Sequence, residues 1–427
     1  MPLRELIKTP FDTGVYVEIP DWLLPVYRLK LLQKKGFIKQ LDFVCSRVFR
    51  SANHTRIEHL LGVLNITRQL IESIEKKGFV FSEIEKRTIE VAAIIHDITH
   101  PPFSHCLEYI LYNYEGKRHD DKLIDYLKEN EGFFKGVKGI DYDLLLSILK
   151  RESTLSPILF DIVGADKLDY VYRDALSTGK SIPSRLTDII GSAYFDGDRY
   201  GIEMFALDGV ITHIHNWLIL HTDVYLYETS NTTKGLLRRA VYELINQASD
   251  QESFINGLWI LDDDELLGLI KGNEVTVELH DRIKYGQNPE TFLSFKLTGN
   301  GVHECNNYYK TIIELPKDEL IKLVDYFEDI HNLIKTEEII ESMLGLKKYS
   351  ITISEMPHID RLKPKDALIY LGNNQWSTAL KLKKSRVNNF TEDLENCYAL
   401  RICVAMEYLP LSEEQINKVL NYLTSLI

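Results

Sequence analysis

At 427 residues and 49.5 kDa the chain can bury a large core in roughly two or three units. It has 44% hydrophobic residues, no apolar run of the roughly 18–20 residues a membrane helix needs, and no signal-peptide core behind Met1-Pro2-Leu3-Arg4-Glu5-Leu6, so no membrane helix is expected and a cytoplasmic location is. A net charge of −13 repels long nucleic acid, and five scattered cysteines without a Cys-x-x-Cys pair exclude a disulfide framework and a zinc ribbon, so a polyanionic ligand needs a local basic pocket.

In chain order, residues 1–50 mix extended pieces such as Gly14-Val15-Tyr16-Val17-Glu18-Ile19 with a basic amphipathic stretch around 27–40. Over 58–76, Leu60, Leu61, Leu64, Ile66, Leu70 and Ile71 recur at helical spacing. Ser82 and Glu85 form a capping-box pattern opening a helix to about His96, with Pro101-Pro102 as its stop. Helical patterns follow at about 104–114, 121–129, 142–151, 157–176, 207–228 and 233–248, and Asp196-Gly197-Asp198 reads as a hairpin turn. Asp262-Asp263-Asp264-Glu265 reads as a solvated helix start. Beyond about 273 the pattern is mixed: 274–279 and 349–353 alternate like strands, 317–335 is helical, and Ser412 with Gln415 opens the last helix. The expectation is a mainly α protein: an N-terminal segment (1–50) packed on the core, a helical domain (51–270) with a small β-hairpin insertion, and a C-terminal mixed α+β region (271–427).

Six of the thirteen histidines, His54, His59, His96, His100, His105 and His119, fall between residues 54 and 119, a density that points to a site. His96 and Asp97 are neighbours, and neighbours in a regular helix point about 100° apart, so both reach one ion only at a helix end. His59 and Asp166, each on another helix, complete two imidazoles and two carboxylates. That mixed N/O set suits Mg, Mn, Fe, Co or Zn, with positions left for water and a phosphate oxygen. A single helical histidine is more often a surface or core residue; the joint pattern carries the reading.

Asp166, Tyr170 and Asp174 recur at i, i+4 and i+8 and share one helix face, with Lys167 and Arg173 flanking it. A salt-bridged solvated helix presents the same pattern. Beside a metal set, the face suits a ligand with phosphates at one end and hydroxyls at the other.

In four segments, Phe37-Ile38-Lys39-Gln40-Leu41, His54 through Val63, His96 through His105 and Asp166 through Asp174, the chain resembles the HD-domain phosphohydrolases, named for their His-Asp pair. Among these it looks most like the deoxynucleoside triphosphate (dNTP) triphosphohydrolases, over roughly residues 35–180. The resemblance implies an HD-type helical bundle and a divalent metal held by His59, His96, Asp97 and Asp166. It implies triphosphate contacts from Arg56, Lys167 and Tyr170, with His100 also on the phosphate side. His105 and His119 match the histidines near the scissile phosphate and leaving oxygen, with Glu108 orienting His105. Gln40 and Asp174 match residues at the sugar 3′-hydroxyl, and Leu41 one that packs on the deoxyribose. The implied reaction is hydrolysis of a dNTP to deoxynucleoside and inorganic triphosphate by a homo-oligomer. Charge builds on phosphate oxygens and on the departing 5′-oxygen, so cations serve the first and a protonated histidine the second, His105 before His119.

The chain departs from the family pattern at Thr99, where a glycine is usual, and at Asp120, where a glutamate is usual. Of the guanine-nucleotide activator pocket of the animal enzymes Gln33 remains, but Arg28 stands for its Asp and Gly36 for its Arg, so activation by GTP is not expected. Two further readings stand: another HD-type phosphohydrolase (phosphodiesterase, 5′-nucleotidase or nuclease), and a non-catalytic nucleotide-binding regulator. Gln40, Leu41, Tyr170 and Asp174 favour the dNTP over the first, and the complete ligand set argues against the second.

Overall fold

The computed structural model describes residues 5–8, 16–180, 186–299, 310–354, 363 and 365–427; Gly14, Val15 and Cys305 lie outside them. Two short strands, β1 (Glu5–Lys8) and β2 (Tyr16–Ile19), pair antiparallel ahead of a series of single-turn helices. The 58–76 periodicity folds as α1 (Arg56–Glu75), its start fixed by Glu58 accepting the Thr55 N–H at 2.6 Å. Its apolar stripe, including Leu60, Leu64 and Leu70, is buried. The Ser82–Glu85 capping box opens α2 (Glu83–Ile95) as read.

The stop of α2 differs. The chain leaves the helix at His96, well ahead of the prolines, and Thr99 donates out of the turn to the His119 carbonyl at 2.8 Å. α3 (His105–Glu115) and α4 (His119–Glu129) follow. The single helix expected over 157–176 is two, Pro157–Phe160 and α5 (Ala165–Thr178). Asp161 accepts the Val163 N–H at 3.1 Å in a side-chain turn, and a Cβ at Gly164 would stand 2.6 Å from the Leu159 carbonyl, so the chain must turn there on a glycine. α1 packs against both α2 and α5, which places their ends around one cleft.

The hairpin of β3 (Ala193–Phe195) and β4 (Tyr200–Glu203) forms where the Asp-Gly turn puts it. It is more than an insertion, since β4 pairs in parallel with a strand from the far end of the chain. α6 (Leu207–Leu220) leads through a wide turn at His221–Tyr225 into α7 (Glu228–Gln247), which starts earlier than its periodicity suggests. α8 (Asp263–Lys271) comes next. The strand expected at 274–279 is absent: Asn273 accepts the Val275 N–H at 2.9 Å, Thr276 bonds the Ile270 carbonyl, and α9 (Val277–Tyr285) buries Leu279 and Ile283 at helical spacing. Val275 and Val277 stay exposed, so the alternation there never meets a core.

A second sheet has the order β6 (Thr311–Leu315), β5 (Glu290–Leu297), β10 (Leu400–Val404), β7 (Ile351–Ile353). The first is β3, β4, β8 (Leu368–Gly372), β9 (Gln375–Thr378). The helix read over 317–335 is α10 (Lys317–Glu328) and α11 (Ile330–Leu344), broken where Asp329 caps α11 through the His331 N–H at 2.7 Å. The capping box of Ser412 and Gln415 opens Glu413–Thr424 as expected. Mainly α describes the molecule, and no helix among the described residues is long and apolar enough to cross a membrane.

α7 and α11 grip β7 through charge. Arg238, fully buried, donates to the Ile353 carbonyl at 2.6 Å and pairs with Glu337 at 3.1 Å, while Glu341 accepts the Ile351 N–H at 3.2 Å. Burial pushes the Glu341 carboxyl up to about 7. The folded state therefore binds this proton more tightly than the unfolded chain, and a penalty builds as pH rises from the ordinary carboxyl range through about 7. Glu341→Gln is expected to stabilise the protein at pH 8 by about 2 kcal/mol, allowing for partial solvent contact, and to change little at pH 4. Melting temperatures at the two pH values check this; an equal shift at both would contradict it.

Candidate active site

α1, the C-terminal end of α2 and the first turn of α5 bring His59, His96, Asp97 and Asp166 to one point. His59 Nε2 lies 3.4 Å from Asp166 Oδ1 and 3.9 Å from Asp97 Oδ2. His96 Nε2 lies 3.6 Å from an oxygen of each acid. The outer ring nitrogens are engaged: Nδ1 of His59 faces Asp169 Oδ2 at 2.8 Å and Nδ1 of His96 the Ala93 carbonyl at 2.9 Å. Both partners are acceptors, so each Nδ1 carries the proton and each Nε2 turns a lone pair inward.

His96 Nε2 is buried with no hydrogen-bond partner among the described residues. Two lone pairs and two carboxylates thus converge with no donor between them, an arrangement that calls for a cation. Burial opposes a charge on His59, but Asp166 and Asp169 outweigh it and raise its pKa to about 9. A divalent ion would satisfy that demand in place of a proton, and the donor set fits one.

Asp169 was not singled out from sequence as a site residue. Besides orienting His59 it pairs with Arg173 at 2.7 Å, which turns that arginine away from the cleft it was expected to flank. The pair lies directly on α1: a Cβ at Gly62 would stand 1.8 Å from Asp169 Oδ1, so only glycine admits it. Asp169→Asn is expected to weaken metal binding about 10- to 100-fold while leaving all four ligands in place. Metal titration monitored by calorimetry checks this, and unchanged affinity would reduce Asp169 to a partner of Arg173.

At one end of the cleft Glu108 serves two histidines. Its Oε2 faces His105 Nδ1 at 2.8 Å, and its Oε1 faces His119 Nδ1 at 2.5 Å and accepts the His119 N–H at 2.7 Å. Burial works against the charge on Glu108, but the imidazoles prevail and hold its carboxyl well below the usual range. The same carboxylate, with Asp97 and Asp120, outweighs burial at His119 and raises its pKa. The His119 side chain is 15% exposed and the His105 side chain 69%, so His119 lies deep and His105 at the mouth.

His100 stacks on His119 with ring centroids 3.8 Å apart and planes 21° from parallel. His105 stands roughly perpendicular to both rings, at 88° to His100 and 68° to His119. Burial, with Arg56 nearby, lowers the His100 pKa well below its ordinary value and keeps the ring neutral. Arg56 itself is held by Asp97 and Ser104, each at 2.6 Å, and Lys167 Nζ lies 3.5 Å from Asp166.

At the other end Gln40, Leu41 and Tyr170 line the wall, and Asp174 is fixed from both sides. His54 Nε2 lies 2.7 Å from its Oδ1 and the Tyr225 hydroxyl donates to its Oδ2 at 2.6 Å. His54 lay within the histidine cluster; Tyr225 had no local signal, since only the turn after α6 brings it here. Every residue singled out from sequence as a ligand, catalytic group or substrate contact lines this one cleft of about 550 Å³, along with Arg118, Arg151 and Lys234. A chain of net charge −13 has gathered five cations there.

Residues 56–171 match the family model of the HD domain. An uncharacterized protein of Methanocaldococcus jannaschii is 27% identical over 410 residues, 90% of this chain and 82% of that one. The Dictyostelium discoideum deoxynucleoside triphosphate triphosphohydrolase SAMHD1 homolog is 23% identical over 264 residues, 56% of this chain and 51% of its own length. A phosphohydrolase of Bacteroides thetaiotaomicron shares the fold, with a TM-score of 0.70 at 20% identity over 94% of this chain and 99% of that one. Residues 56–171 thus form an HD domain, and the resemblance of the chain to the dNTP triphosphohydrolases runs past that domain to about half the length of the Dictyostelium protein.

Proposed function

We propose that the protein hydrolyses deoxynucleoside triphosphates to a deoxynucleoside and inorganic triphosphate. One observation carries this reading: a single cleft is lined both by the metal set with several cations and by a doubly anchored carboxylate, Asp174, together with Gln40, Leu41 and Tyr170. A divalent ion on His59, His96, Asp97 and Asp166 would supply Lewis-acid charge and a more acidic water. The chain does the rest. Arg56 and Lys167, with Arg118 and Arg151 further out, neutralise the triphosphate. His119 or His105, each carrying its Nδ1 proton toward Glu108, presents Nε2 to protonate the departing 5′-oxygen. Asp174, with His54 and Tyr225 each occupying one oxygen, keeps a lone pair for the sugar 3′-hydroxyl, and the apolar Leu41 leaves the 2′ position without a polar partner.

The test is chromatographic analysis of products after incubation with each dNTP, singly and mixed, in Mg²⁺, Mn²⁺ or Co²⁺. Deoxynucleoside plus triphosphate is the expected outcome. Monophosphate products would assign the cleft to nucleotidase or phosphodiesterase chemistry, and equal turnover of ribonucleotides would remove the sugar-side argument.

A further inference from the structure

Two irregular loops complete the cleft beside the metal set. One, residues 38–41, carries Gln40 and Leu41; the other, residues 97–104, carries His100 and delivers His105 to the start of α3. The second passes through two consecutive non-glycine residues in the left-handed region, Phe103 at φ 52° and Ser104 at φ 53°. L residues hold that conformation only where the surroundings impose it.

The loops meet at a side chain from neither. Asp263, the first residue of α8 and outside the HD domain, is 7% exposed. Its Oδ2 accepts the Lys39 N–H at 2.9 Å and its Oδ1 the Phe103 N–H at 2.7 Å. The expectation of a solvated helix start therefore fails here. Capping of α8 falls to Asp262, which accepts the Glu265 N–H at 2.9 Å, so the Asp263 carboxylate is free to reach across. Burial raises its pKa to about 6, so a charge is kept where desolvation opposes it. Two further bonds tie the same region: the fully buried Lys35 donates to the His100 carbonyl at 2.6 Å, and Arg56 Nε donates to Ser104 Oγ at 2.6 Å.

We infer that Asp263 is a positioning residue for the hydrolytic site: one carboxylate clasps the sugar-side loop and the histidine loop and sets the distance between them. The inference rests on reading the cleft as that of a hydrolase. Asp263 touches neither a metal ligand nor the space for substrate, so it acts through Gln40 and His105. A displacement of about 1 Å far from the chemistry can cost about 100-fold in rate.

The test uses the full chain with Asp263→Ala and Asp263→Asn, reading metal content, hydrogen exchange over 36–43 and 99–106, and kcat on each dNTP. Metal content is expected to be unchanged, exchange to accelerate in both segments together, and kcat to fall about 10- to 100-fold. Asn, which keeps one acceptor oxygen, is expected to fall between Ala and the wild type. Should the alanine variant not fold, the asparagine variant carries the same comparison. An unchanged kcat overturns the inference, as does a fall in kcat with exchange unaltered in either segment. If the wild type turns over no dNTP, the functional reading has failed by itself, and exchange alone decides the clasp: acceleration in both segments upholds it, in one or neither refutes it.

Discussion

Asp97→Ala is expected to remove the bound divalent ion and to lower kcat by on the order of 10³-fold or more, the two losses appearing together. Asp97 stands closest to everything else in the site: within 3.9 Å of His59, 3.6 Å of His96 and His100, and 2.6 Å of Arg56. Removing it takes one of two carboxylates from a set of four acceptors, and it leaves Arg56, whose side chain is 2% exposed, as a buried cation without its anion. Asp97→Asn keeps the shape and separates the effects, since an amide oxygen can still accept from Arg56 but contributes no charge to the ion. Metal analysis of the purified variants, with kcat and melting temperature, makes the comparison. Stoichiometric metal in the Asp97→Ala variant would show that Asp97 does not ligate, and full activity in either variant would sink the metal assignment.

What the sequence displays and what it conceals follow from the range of the interaction. His59 and Asp166 are legible because each lies on a helix that an apolar face marks, and His96 and Asp97 because they follow the apolar run of α2 to its end, which the prolines beyond mark only roughly. Asp166, Tyr170 and Asp174 are legible because a helix repeats its face every turn. The break of 157–176 at Asp161 and Gly164 is not legible as periodicity, because the apolar residues keep their spacing across a side-chain turn. The false strand at 274–279 has the same origin: two alternating valines mimic a strand until Asn273 and Thr276 take the backbone elsewhere.

Long-range partners lie further from view. Nothing near Ala193 announces that β4 will pair with Leu368–Gly372. Asp263 reads as one acid in a run of four, and only the fold reveals that it faces inward to the amides of Lys39 and Phe103. Tyr225 and Asp169 are hidden in the same way. The residues that could touch a substrate were thus largely visible, whereas those that hold them in place mostly were not.

Glu108→Gln is the sharpest probe of how the histidines work, and it is expected to retain metal while losing about 100- to 1000-fold in kcat on a dNTP, roughly 3–4 kcal/mol in the barrier. The buried carboxylate faces the Nδ1 of both His105 and His119. Glutamine has nearly the same volume but one oxygen, one NH₂ and no charge, so one of the two rings must lose its acceptor and neither keeps its counter-anion. If Glu108 matters because it supports protonation of the leaving oxygen, the defect must vanish when that oxygen needs no proton. With a 5′-thio dNTP, in which sulfur replaces the departing 5′-oxygen and leaves as a thiolate with little need of a proton, the variant should approach wild-type turnover. An equal loss on both substrates would show that Glu108 holds the loop between α3 and α4, where it accepts the His119 N–H, and takes no part in proton transfer.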